Sequence, residues 1–511
     1  MSITTPEWVK DAVFYQIFPD RFAKSEHLPK QGLKLESWDS APTIYGFKGG
    51  DLLGIVEHLD YLQDLGVNAL YLNPITASAS NHRYHTYDYF KIDPLLGGDD
   101  AFRLLLDAAH ALGIRVVPDG VFNHASRGLW QFHHVLENGD GSPYVDWFFF
   151  NPDRLNRKKH WGAYPTVSEQ RQLKSGVSAY DALGYRAWWN LPALPKLNTD
   201  TPAVREFLWE VAVYWIKFGA DGWRLDVPAE IDDDPFWKEF RRRVKDANPE
   251  AYIVGEIWHE SQRWLQGDQF DAVMNYLLTG ALMGWLIGEK IPEYIFNIGD
   301  YGRYLRPINA EGFADRIDYL LGLYDPAINH AQFNLLDSHD TPRFITTAGN
   351  DPSALKLGWL FLMTYPGAPC IYYGDEIGLS GGPEPASRAA FPWDEKCWDN
   401  DLHGYAKRLI SMRNAHPALR RGTYHRLSAA HDVYAFGRKL GDETCVVVIN
   451  GGAQTRLVDI PVAALGLADG SLTTLFGEMQ AQASGGPALS VVAGQVRGLK
   501  LAPRSGVVLK A

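Results

Sequence analysis

Residues 201–227 read TPAVREFLWEVAVYWIKFGADGWRLDV. The first part is a helix: Thr201 suits the N-cap, Pro202 the first turn and Gly219 the C-terminal stop. Val204, Phe207, Leu208, Val211 and Trp215 fall on one face at helical spacing. Directly after the stop, residues 220–227 form a short apolar run that ends in a carboxylate, the pattern of a buried strand. A helix feeding straight into such a strand is a building block of a parallel α/β sheet.

The alternation extends on both sides. Runs at 13–18, 69–75, 115–122, 252–257, 272–277, 333–336 and 369–373 also read as strands. Leu52, Ile55, Val56, Leu59 and Leu62 make a helical stripe between the first two. Eight strands separated mostly by helical patterns predict a closed (β/α)8 TIM barrel. The spacing breaks once, after the third strand, where about seventy residues rich in Asn, Pro, Trp and Tyr predict an inserted small domain rather than a loop. Beyond residue 420, short runs between Gly, Asp and Pro turns predict a C-terminal antiparallel β-sandwich. The expected division is barrel at 1–124, insertion at 125–195, barrel again at 196–420 and sandwich at 421–511.

Bulk properties exclude several classes. The 511 residues are 46% hydrophobic and 22% charged, with a formal net charge of -12, which disfavours nucleic acid as a partner. Cys370, Cys397 and Cys445 are too few and too scattered for a disulfide framework or a metal cluster. The N-terminal residues carry no basic-then-apolar leader, and no apolar run reaches membrane length. The expectation is a cytoplasmic protein without a membrane partner and without a required cofactor.

In barrels the reactive groups gather at the carboxyl ends of the strands. Here those ends carry Asp119 to His124, Asp226, Glu256 and Asp340. Arg224 and Asp226, two apart on one strand, share a face, so the guanidinium is expected to hold Asp226 ionised. Glu256, from the next strand, would then keep the proton a leaving group needs. Two carboxyls ~5–5.5 Å apart define a retaining glycosidase. Asp340 and His339 are placed to stabilise charge on a sugar ring, and His124 to meet a hydroxyl. Tyr84, Tyr87, Trp161, Trp188, Trp189 and Trp258 are candidate faces for sugar stacking.

These motifs, in this order, resemble the α-amylase family of glycoside hydrolases over nearly the whole chain. The resemblance implies Asp226 as nucleophile, Glu256 as acid/base and Asp340 as the carboxylate of the transition state. It implies that Tyr84, His124, Arg224 and His339 hold the sugar on the non-reducing side of the cut. Within the family, Leu194-Pro195-Lys196-Leu197-Asn198 is similar to the neopullulanase, cyclomaltodextrinase and maltogenic amylase group, as are Asn81-His82-Arg83-Tyr84, residues 227–230 and residues 270–276. That likeness implies α-glucan oligosaccharides as substrate and sugar contacts from His82, Glu384 and Arg388, with Glu230 and Trp258 bordering the acceptor side.

The chain departs from that group in three places. The group's extra N-terminal β-domain is missing before Trp8, so a monomer with a more open cleft is expected rather than the group's dimer. Residues 22–27 lack the Asn/Asp series that binds calcium in many relatives, so no metal is expected at that loop, with calcium elsewhere left open. Pro228 stands where a small residue is usual. Alternatives are a transglycosylase or α-glucosidase of the same family and, more remotely, a non-catalytic carbohydrate-binding relative. A phosphate-binding barrel is poorly supported, because no basic residue nearer than Arg388 follows Gly374 and Gly378.

Overall fold

A computed structural model of the chain describes residues 3–155, 164–477 and 489–511. Eight strands form one parallel sheet: β1 (Phe14–Ile17), β2 (Ala69–Leu72), β3 (Arg115–Gly120), β4 (Gly222–Leu225), β5 (Tyr252–Gly255), β6 (Ala272–Val273), β7 (Phe333–Asn334) and β8 (Ala368–Tyr372). Neighbours pair in sequence order, β8 pairs with β1, and a parallel bridge from Met274 to Phe333 joins β6 to β7. The sheet is therefore a closed (β/α)8 barrel, as the strand count predicts. Strands buried on both faces explain the near-continuous apolar runs.

Local chemistry sets most element ends, with differences from expectation. Helix Pro202–Phe218 forms as read, but the Thr201 hydroxyl donates to the Asp146 carbonyl (2.5 Å) instead of capping. The stripe after Asp51 is two helices, Leu52–Glu57 and Leu59–Leu65, broken at His58. The run expected as one strand over 272–277 pairs for two residues only. Asn275 then caps a helix, Tyr276–Leu286, in which every residue is buried.

Between β3 and helix Pro202–Phe218 the inserted segment holds helix Trp130–Asn138 and short bridges, among them His124 to Lys196 and Phe148 to Leu197, which draw it back onto the barrel mouth. The C-terminal part is two antiparallel sheets. One runs in the order Thr423–Ala430, Val433–Leu440, Glu443–Asn450, Ser505–Lys510, Thr473–Phe476; the other in the order Arg456–Pro461, Gln495–Leu501, Ser490–Val492, Gly470–Ser471. The first sheet works on both faces. Val433, Ala435, Val446 and Val448 point into the sandwich, while the alternate Tyr434, Phe436, Cys445 and Val447 join the barrel core. Each such side chain contributes about 1.5–3 kcal/mol of burial, so the sandwich is cemented to the barrel.

Among the described residues no group of three or more His, Cys, Asp or Glu is arranged to hold a metal ion. No helix among them is long and apolar enough to cross a membrane.

Candidate active site

The carboxyl ends of the strands bring the polar side chains together. Asp119 lies on β3 in register with Arg224 on β4; Asp226 directly follows β4 and Glu256 directly follows β5. Arg224, 1% exposed, is the hub. Its Nη1 donates to both oxygens of Asp119 (2.9 and 2.8 Å) and, more weakly, to Asp226 Oδ1 (3.3 Å). Its Nη2 lies 2.9 Å from Glu256 Oε2. One guanidinium thus holds three carboxylates, and Asp226 and Glu256 stand on the same side of the mouth.

The two candidate acids differ in how they are held. Glu256 Oε2 accepts the Val227 N–H (3.1 Å) and Oε1 accepts the Trp258 indole N–H (3.0 Å). Val227 adopts φ 36°, left-handed backbone that a β-branched residue resists, and this turn sits between the two acids. Asp226 Oδ2, by contrast, is buried with no hydrogen-bond partner among the described residues, and neither has His124 Nε2, 4.0 Å away. An unpaired carboxylate oxygen facing an unpaired ring nitrogen at the barrel mouth leaves both able to meet a hydroxyl.

Burial and then the charge of Glu256 push Asp226 well above the ordinary carboxylate range, outweighing Arg224. This corrects the expectation that Arg224 keeps Asp226 ionised: burial and the neighbouring acids Glu256, Asp119 and Asp340 together outweigh a guanidinium 3.3 Å away. Burial and Glu256 likewise push Asp340 up to about 7, despite Arg388 at 3.3 Å. Burial pushes His124 down to about 3 and His339 well below the usual histidine value, so both rings are neutral and can donate as well as accept.

Tyr84 closes the other side. Its hydroxyl donates to Asp119 Oδ2 (2.8 Å), accepts from Asn73 Nδ2 (3.0 Å) and meets His339 Nε2 (2.6 Å), while its ring stacks on His339 at 5.5 Å and 5°. The Asp340 carboxylate, 31% exposed, is 3.1 Å from His339 Nε2. Arg388 also donates to Glu384 (2.6 Å) and to the His339 carbonyl (2.8 Å). His82 Nδ1 accepts the Tyr84 N–H (3.2 Å), which puts it on the same wall.

The rings of His124, Trp188 and Trp189 form a ladder, at 5.1 Å and 12° and then 4.5 Å and 11°. Trp189 is 74% exposed with φ 49° and faces a cavity of about 420 Å3 shared with Tyr180, Arg186, Lys196 and Glu230. The Lys196 ammonium donates to Asn123 Oδ1 (2.9 Å) and to the Glu230 carbonyl (2.7 Å). Trp258 stacks on Tyr276 at 3.6 Å and 2°.

The candidates read from sequence thus gather around one mouth, with two aromatic exceptions. Tyr87 lines a separate groove with Asp88 and Lys91, and Trp161 lies outside the described residues. Four contributors were not singled out as site residues. Tyr71 donates to Asp119 (2.8 Å), Gln16 bridges Asn73 (3.0 Å) and His339 Nδ1 (2.9 Å), and Lys196 ties Asn123 to Glu230. The available signal was a polar residue interrupting an apolar strand, as at Gln16 and Asn73.

A family model for the alpha amylase catalytic domain matches residues 16–414. A cyclomaltodextrinase of Geobacillus thermopakistaniensis is 42% identical over 466 residues, 90% of this chain and 72% of that protein. Neopullulanase 2 of Thermoactinomyces vulgaris is 42% identical over 465 residues, 90% of this chain and 72% of that protein. The native form of the Nostoc punctiforme debranching enzyme superposes with a TM-score of 0.86 at 46% identity, covering 100% of both chains.

Proposed function

Because the chain belongs to the alpha-amylase family of glycoside hydrolases, we propose that it is a retaining, endo-acting hydrolase of α-1,4 bonds in malto-oligosaccharides and cyclodextrins. The observation that carries the reading is the unpartnered Asp226 Oδ2 beside a Glu256 tied down at both oxygens. The first is free to attack; the second is aimed and held.

Asp226 Oδ2 forms a bond to the anomeric carbon as the glycosidic C–O bond breaks. The departing oxygen takes the proton held by the Asp226–Glu256 pair, delivered by Glu256. Glu256, now ionised, draws a proton from water, whose oxygen bonds to the same carbon while the ester to Asp226 breaks. Two inversions give net retention. The burial that makes an Asp226 anion costly also makes it reactive, since no hydration shell must be removed before attack. Asp340 binds ring hydroxyls and faces the positive charge that develops on the sugar. Neutral His124 and His339, with Tyr84 and Arg224, hold the glycone, helped by His82, Glu384 and Arg388. The ladder ending at Trp189, together with Lys196, Glu230 and Trp258, supports an acceptor side able to stack a further glucose.

The likeness to a cyclomaltodextrinase and a neopullulanase makes β-cyclodextrin and pullulan test substrates, with maltotriose as the short linear one. Cleavage with release of the α-anomer, read by proton NMR before mutarotation, is the expected result, with a slow fluorosugar trapped on the Asp226 peptide in a mass spectrum. Initial release of the β-anomer would overturn the proposal.

A further inference from the structure

Lys48 lies in the long loop that leads from the short helix Pro19–Phe22 after β1 to helix Leu52–Glu57, and is 1% exposed. Its ammonium donates to the Ser37 carbonyl (2.5 Å), the Ser40 carbonyl (2.6 Å) and Ser40 Oγ (2.5 Å), with Glu36 Oε2 at 3.6 Å. Every partner is an oxygen of the same loop. The loop also closes on itself, with the Glu36 N–H donating to the Phe47 carbonyl (2.8 Å) and the Gly46 N–H to Thr43 Oγ1 (3.0 Å). Its root is fixed, since the N–H groups of Lys48 and Gly49 donate to Asp20 (2.9 and 3.1 Å) just beyond β1.

No apolar core supports the tip, where Ile44 and Tyr45 are 54% and 88% exposed. The carbonyls of the tip nevertheless serve the cleft. Those of Ile44 and Gly46 both accept from Asn81 Nδ2 (2.9 and 2.7 Å), and Gly46 also accepts from Arg21 (2.7 Å). The Asn81 carbonyl in turn accepts from Arg83 Nη1 (2.6 Å), which lies buried in left-handed backbone immediately before Tyr84. A cage of converging oxygens is unstable without a cation at its centre, because each desolvated carbonyl would face another. Two of those oxygens are carbonyls that no rotamer change can turn away.

We propose that Lys48 is a positioning residue whose ammonium serves as a built-in monovalent cation, folding residues 36–48 so that their carbonyls hold Asn81 and set Tyr84 at the cleft wall. The catalytic consequence rests on the reading of Tyr84 as a sugar-holding residue; the cage itself does not.

The test is Lys48→Ala in the full chain, assayed on maltotriose with ammonium chloride or, at equal ionic strength, tetramethylammonium chloride. The expected result is a kcat/KM about tenfold lower, mostly through KM, and a lower Tm. Ammonium restores both and tetramethylammonium neither, a selectivity that simple loss of packing would not give. Asn81→Ala, with the cage intact, reproduces the kinetic loss and does not respond to ammonium. Wild-type kcat/KM in Lys48→Ala, or a loss that ammonium leaves untouched, overturns the proposal. Should Lys48→Ala be insoluble, refolding from urea decides: recovery with ammonium alone supports the cage, and equal recovery or failure with both salts overturns it. If the wild type proves inactive on α-glucans while ammonium still restores the Tm of Lys48→Ala, the cage stands and the functional reading fails.

Discussion

Two buried arginine settings in this molecule have opposite chemistry. At the barrel mouth, burial works against the charge of Arg224, yet Asp119, Glu256 and the nearby tyrosines hold it well above the ordinary arginine range. Beneath the barrel, Arg413 on helix Asn400–Ala415 and Arg438 on strand Val433–Leu440 bond only to backbone carbonyls. Arg413 reaches those of Met363 (2.9 Å), Tyr365 (3.3 Å), Gly367 (2.6 Å) and Leu419 (3.2 Å). Arg438 reaches those of Leu419 (2.7 Å) and Gly422 (2.8 Å), besides Thr364. Burial pushes both of these arginines down, and for Arg413 the charge of Arg438 adds to it. The mouth has surplus negative charge around one cation; the base has two cations and no acid bonded to either. Surplus acid leaves a proton and an unsatisfied oxygen available for chemistry. Guanidinium groups bonded to carbonyls fasten the segment before β8 to the helix and the sandwich beneath it.

The comparison predicts a double dissociation. Asp226→Asn should lower kcat by roughly 10^4-fold or more, because it removes the attacking oxygen. It should leave the Tm unchanged or raised, since one of the acids crowding Arg224 has gone. Calorimetry and steady-state kinetics on the same preparation check both halves. A Tm several degrees lower would mean that Asp226 is part of the scaffold, and the contrast between the two settings would break.

Arg413→Met should do the reverse. It strands the carbonyls of Met363, Tyr365 and Gly367 at the base of the barrel, while that of Leu419 keeps Arg438, at a cost of about 3 kcal/mol. Its Tm falls, while kcat and KM on maltotriose at room temperature stay at the wild-type values. Loss of activity in the folded variant would show that the base and the mouth are coupled.

Sequence reading succeeded where the signal is local. Helix Pro202–Phe218 and the strand ending at Asp226 lie in one window, and an acid after an apolar run marks a barrel mouth wherever it occurs. It failed where the partner is distant. The proton balance at Asp226 depends first on its burial and then on the charge of Glu256 from the next strand, neither of which the window around Asp226 contains. Lys48 looks like any surface lysine until the loop is seen folded around it. Residues 272–286 show a further limit: a fully buried helix and a buried strand are both simply apolar, and only Asn275 marked the change. Strand Thr423–Ala430 escaped for the opposite reason, since none of its residues is fully buried and its alternation is weak.

The smallest effect tests the mouth's electrostatics most directly. Asp340, pushed up to about 7, is charged only above that pH, and the proposed role needs the charge. The acid limb of kcat/KM, which reports the free enzyme, should therefore contain its ionisation. Arg388 favours the anion and Glu384 opposes it. Removing the guanidinium in Arg388→Met makes ionisation harder, so the limb moves to higher pH. Removing a like charge in Glu384→Gln makes it easier, so the limb moves to lower pH, by less than one unit because Arg388 already screens Glu384 at 2.6 Å. Opposite displacements from two neighbours that both touch the glycone wall separate charge from contact, since loss of a sugar contact would lower kcat/KM without moving the limb. Shifts in the same direction would mean that another group sets the limb, and that Asp340 works in its neutral form.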